Sequence, residues 1–139
     1  MSKWSILYQE LTIKHDYIKL NPPTTQAQIS DVERTLDCIL PGDLKDLLLE
    51  MNGDNWFVFS TEQIIEINLS MRALDCFMPL NCLLLFAGNG SGDYFGFPIT
   101  QQDGIKEDSV FFWDQEYDNR IWKASGLEDA IKKYYNEEI

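Results

Sequence analysis

Residues 83–99, LLLFAGNGSGDYFGFPI, constrain the fold more tightly than any other stretch of this chain. They open on an unbroken apolar run, residues 83–87, too short for a helix and suited to a buried strand. Four of the chain's eight glycines follow within nine residues: Gly88, Gly90, Gly92 and Gly96. Asn89-Gly90 is a strong tight-turn signal, because both residues tolerate positive φ at little cost. Aromatic residues then return around the small Gly96, as Tyr94, Phe95 and Phe97, and Pro98 closes the run. The pattern predicts the central hairpin of an antiparallel sheet, with Asp93 presented at its turn.

The sequence before this hairpin has helical spacing. Trp4, Leu7, Tyr8 and Leu11 make one apolar face of a first helix. Asn21-Pro22-Pro23 forces an extended link, since a residue before proline disfavours the helical region. Thr25 with Gln28 reads as a capping box opening a helix through Ile29, Val32 and Leu36. Asp43 is the expected cap of a short helix through Leu44, Leu47, Leu48 and Met51 that ends at Asn52-Gly53. Residues 56–59 read as a strand, and Ser60 with Gln63 as a second capping box. After the hairpin come a polar loop over 101–108, a strand over 110–113 and its partner over 120–123. Ser125 with Glu128 makes a third box, starting a closing helix. Helices first, then strands, then a helix predict an α+β fold, an antiparallel sheet with flanking helices. At 139 residues the chain reads as a single domain, with an N-terminal helix and linker over 1–21 and a core over 22–139.

Charge narrows the partners. There are 23 acids against 11 bases, a formal net charge of −12. Between Asp37 and Asp103 ten acids face only Lys45 and Arg72. Such a surface repels nucleic acid and anionic membrane and attracts a basic protein. No apolar run reaches 18 residues and no secretory start is present, so the expected location is cytoplasmic. Cys38, Cys76 and Cys82 are odd in number and form no C-x-x-C pair, so they read as free, buried thiols. His15, the lone histidine, reads as structural or solvated.

The chemistry-bearing motifs mostly fail. A dinucleotide fingerprint starting at Gly88 or Gly90 would need glycine at positions held by Asp93 and Phe95, and no P-loop lysine follows. Ser91 lacks the glycines of a nucleophile elbow, since Asn89 and Asp93 occupy them. Asp93, Asp103, Asp108 and Asp114 leave open a cation site or an acid/base pair, although their spacing does not demand it. In residues 113–118, WDQEYD, the carboxylates of Asp114, Glu116 and Asp118 alternate and would share one face if the strand continued. Carboxylates beside Trp113 and Tyr117 suit docking of a basic surface, or equally a charged tip that keeps a sheet edge soluble.

The ordered set of Leu40-Pro41, the Leu-rich helix ending Asn52-Gly53, LLLFAGNGSGDYFGF, VFFWDQE and a closing helix resembles the SUKH superfamily. That superfamily is named partly after a fungal regulator of cell-wall synthesis and is abundant among bacterial immunity proteins. The similarity runs from about Pro22 to the C-terminus. It implies an α+β domain without catalysis, cofactor or metal. It also implies a cognate partner, a polymorphic toxin that is often a nuclease. By position, the family's glycine-aspartate turn falls on Gly92-Asp93 and its tryptophan-acid motif on Trp113-Asp114, with Gln115 where histidine is frequent. The acidic charge agrees, because a nuclease is basic over its nucleic-acid groove. The candidate partner-binding face is Asp54, Trp56, Asp93, Tyr94, Asp114, Glu116, Tyr117 and Asp118. An intracellular regulatory interaction module is the alternative, and a metal-assisted hydrolase the second alternative.

Overall fold

The computed structural model describes residues 2–100 and 104–139 and has the expected α+β architecture. Helix α1 spans Lys3–Lys14, α2 Gln26–Leu36, α3 Gly42–Glu50, α4 Thr61–Arg72 and α5 Leu127–Tyr135. The strands are β1 Leu83–Gly88, β2 Tyr94–Thr100, β3 Gly104–Ile105, β4 Val110–Asp114 and β5 Asn119–Ala124. Every pairing is antiparallel, in the order β1-β2-β4-β5, with β3 also on β2.

Local signals set most helix starts. Thr25 with Gln28 and Ser60 with Gln63 form complete capping boxes for α2 and α4. Two expected caps are displaced. Pro41 stands at the cap of α3, so Asp43 falls in the first turn, where its charge still favours the helix dipole. Gly126 takes the cap of α5, and the Ser125–Glu128 box is replaced by Ser125 donating its amide and hydroxyl to Asp129 Oδ2, at 3.0 and 3.1 Å.

The unbroken apolar run of β1 has a geometric reason. Strand side chains alternate, and both faces of β1 are covered. Leu84 and Phe86 enter the main core, which also takes Trp4, Tyr8, Leu44, Leu48, Phe57 and Ile131. Leu83 and Leu85 face the other way, into a smaller core with Leu80 and Trp113 that Ile67, Met71 and Phe77 cover. Asn68, fully buried on α4, joins the two layers. It donates to Leu85 O at 2.8 Å and accepts from Leu85 N at 2.9 Å, completing the strand where a bulge separates Leu85 from Ala87.

Two sequence expectations need correction. Residues 56–59 form only one antiparallel bridge, Val58 to Ala87, flanked by Phe59 N–H to Phe86 O at 2.9 Å and Gly88 N–H to Phe57 O at 3.0 Å. Ladder formation stops there because the amides of Trp56, Phe57 and Val58 all donate to the Asp54 carboxylate instead. The cysteines are not buried: Cys76 and Cys82 are exposed on the 73–82 connection and Cys38 is half-buried after α2.

Candidate functional site

Six of the eight candidate residues lie on or beside the two hairpin turns at one end of the sheet. Residues 89–93 turn β1 into β2, and 115–118 turn β4 into β5. Within the first turn, Ser91 N–H donates to Asn89 Oδ1 at 2.9 Å and Asn89 Nδ2 to Asp93 Oδ2 at 3.2 Å. Gln115 then locks the turns together, its amide donating to Asp93 Oδ1 at 3.0 Å and its Nε2 to Ser91 O at 2.9 Å. Gly92 has φ +89°, and a Cβ there would stand 2.6 Å from Gln115 Nε2. Behind the turns the Tyr94 and Trp113 rings lie parallel, with centroids 6.1 Å apart.

The 113–118 segment does not stay extended, so Asp114, Glu116 and Asp118 do not share a strand face. Asp114 Oδ1 accepts the Tyr117 amide at 2.7 Å, and Asp118 N–H donates to Asp114 O at 2.9 Å. Asp118, at φ 56°, folds back. Its carboxylate accepts from the Trp113 indole at 2.6 Å, the Met78 amide at 2.8 Å and Arg120 at 3.2 Å. Partial burial by itself raises this carboxyl's pKa, but those three donors outweigh it and hold the group below its ordinary range. Arg120 also donates to Met78 O and Pro79 O, so this one cluster fixes the 78–79 connection to the tip. Glu116 and Tyr117, the latter 71% exposed, project outward from the turn.

Asp54 is no part of an exposed face. Its side chain is completely buried: Oδ1 takes three amides, and Oδ2 accepts from the Tyr8 and Tyr135 hydroxyls at 2.8 and 2.6 Å. Burial, and then the Asp54 charge, push both tyrosines well above their ordinary pKa. Its neighbour Trp56 is exposed, with its ring 4.3 Å from that of Tyr17. Since Phe57 pairs with Gly88, the register carries Trp56 to the same end of the sheet as the 89–93 turn.

Residues 26–129 match the family described as SMI1-KNR4 cell-wall, SUKH_6. The chain belongs to this family. The match runs from the start of α2 into the first turn of α5 and takes in the whole sheet, leaving α1 outside. No curated protein matches the chain. In this SUKH domain the Gly92-Asp93 and Trp113-Asp114 positions are where the two turns are clamped. Gln115 supplies two of the clamping hydrogen bonds. Of the four aspartates considered for a cation, Asp103 lies outside the described residues. Among the described residues no three His, Cys, Asp or Glu side chains form a metal-holding group, and no helix is long and apolar enough to cross a membrane. Sequence reasoning gave no site role to Gln115, Arg120 or Tyr17. Only Gln115 carried a local signal, through its place beside the Trp113-Asp114 motif.

Proposed function

We propose that this SUKH domain is an immunity protein that binds a cognate polymorphic toxin, a basic nuclease, and neutralises it by one-to-one occlusion. The observation that carries the reading is the outward pair Glu116 and Tyr117, mounted on turns already fixed by hydrogen bonds, on a chain of net charge −12. A preformed tip loses little conformational entropy on docking. Tyr117 offers contact area, and Glu116 with the surrounding negative field speeds encounter with a basic groove. Asp93, Tyr94, Asp114 and Asp118 then serve the interface by shaping the tip that carries it. The action is docking, without bond chemistry or cofactor, inside the cytoplasm of the producing cell.

Co-expression with the protein encoded by the neighbouring gene, followed by pull-down and a growth assay, tests this. Rescue of growth with a one-to-one complex is expected. No rescue and no complex overturn it. The cell-wall description of the family favours one second reading, a regulatory interaction module. A stable complex with a host protein, without any protection from the toxin, would select it.

A further inference from the structure

We propose that the aromatic cleft formed by Tyr17, Trp56 and Tyr134 is a receptor for a cationic side chain, arginine or lysine, of a basic protein partner. The inference rests on the proposed docking function and gives it a second contact, separate from the Glu116–Tyr117 tip. The cleft, about 500 Å³, lies between the segment after α1, the loop after α3 and the end of α5. His15 and Tyr135 complete its aromatic lining, and Glu137 supplies a carboxylate at the mouth. Trp56 is 52% exposed and Tyr17 41%, a large aromatic surface to leave in water beside a well-packed core.

Three features select a cation rather than a neutral apolar ligand. Ring faces carry the negative lobe of the aromatic quadrupole, and several rings pack together here: Tyr17 with Trp56 at 4.3 Å, and His15 with Tyr17 and Tyr135 at 5.5 and 5.4 Å. Beneath them lies the Asp54 carboxylate, which accepts the Tyr135 hydroxyl at 2.6 Å. Neither Asp54 nor Glu137 has an ion-pair partner among the described residues. The contrast with the other exposed indole is direct. Trp122 already has Lys133 Nζ 5.4 Å from its ring centroid, whereas no lysine or arginine of the described residues sits over Trp56 or Tyr17. A chain with 23 acids and 11 bases thus leaves this aromatic surface open to a basic partner.

The test uses the full chain and small probes, so it needs no toxin. N-acetyl-arginine amide and N-acetyl-lysine amide are titrated at pH 8 to tens of millimolar while the four tryptophan indole N–H signals are followed by nitrogen-15 NMR. The uncharged isostere N-acetyl-citrulline amide is the control, and Trp56→Phe assigns the signal. A saturable shift of the Trp56 indole with either cation, absent with citrulline, is expected. Tyr17→Leu, which keeps apolar bulk without a π face, should weaken the binding roughly two- to fivefold. No saturable shift, an equal shift with citrulline, or unchanged binding in Tyr17→Leu would overturn the proposal. A positive titration with failed growth rescue would leave the cleft standing and remove the toxin reading. Rescue with a flat titration would remove the cleft alone.

Discussion

Asp54 and Asp118 each stand before an asparagine in a connecting segment, and both gather amide and aromatic donors. Asp54 takes three backbone amides and the hydroxyls of Tyr8 and Tyr135, with no ion-pair partner among the described residues. Asp118 takes one amide, the Trp113 indole and the Arg120 guanidinium, at about one-fifth exposure. In the interior every hydrogen bond to the carboxylate replaces one that water cannot supply, so the whole cluster stands or falls together. At the tip, water takes over what a mutation removes. The comparison teaches that similar local chemistry becomes a determinant of the fold at one depth and an adjustable clamp at the other.

The largest effect should come from Asp54→Ala. It strands five donors, four of them buried, and should lower stability by about 4 kcal/mol or more, measured by urea unfolding. A loss no greater than that of Asp118→Ala would break the comparison. Next is Gly92→Val, where a β-branched residue must adopt φ +89° with its Cβ in contact with Gln115. That should remove about 2–3 kcal/mol, and Gln115→Ala in the same chain should recover only the steric part. Asp118→Ala follows at about 1–2 kcal/mol, with a near-ultraviolet circular dichroism change from the released Trp113.

The two clusters should also separate along the pH axis. Asp118 is held below its unfolded pKa, so its contribution is present above the ordinary carboxylate range and is lost as pH falls through the folded value. Tyr8 and Tyr135 are raised, so their contribution is present below about pH 10 and is lost as pH rises above it. Asp118→Asn should therefore flatten the acid limb of the stability curve and leave the alkaline limb. Tyr135→Phe should do the reverse, and thermal melts across pH check both. The smallest effect on folding belongs to Glu116→Lys, within about 0.5 kcal/mol of wild type, since that side chain only faces water. In surface plasmon resonance it should nonetheless slow association with a basic partner and flatten the salt dependence. An unchanged rate would move the contact away from the tip.

Much of the architecture was legible because its signals are local. The Thr25–Gln28 and Ser60–Gln63 boxes, the helical spacing of Trp4 to Leu11 and the Asn89-Gly90 turn act within a few residues, and all appear as read. The candidate site was legible only as a set of residue types. Sequence marks Asp54, Asp93 and Asp118 as acidic turn residues, but it carries no reading of depth. Tyr8 and Tyr135 lie 46 and 81 positions from Asp54, and no local pattern announces that their hydroxyls close over it.

By itself, then, the sequence determined the fold class, the hairpin, the negative field and the family, because periodicity, turn chemistry and net charge are properties of neighbours and sums. Tertiary structure decided which carboxylates face water. It drew Asp54 into the interior, turned Asp118 back onto Trp113 and left Glu116 outside. It also brought Tyr17, Trp56 and Tyr134 together from three separate segments. Burial and convergence arise from long-range packing, which closes only when the helices and the sheet share a core.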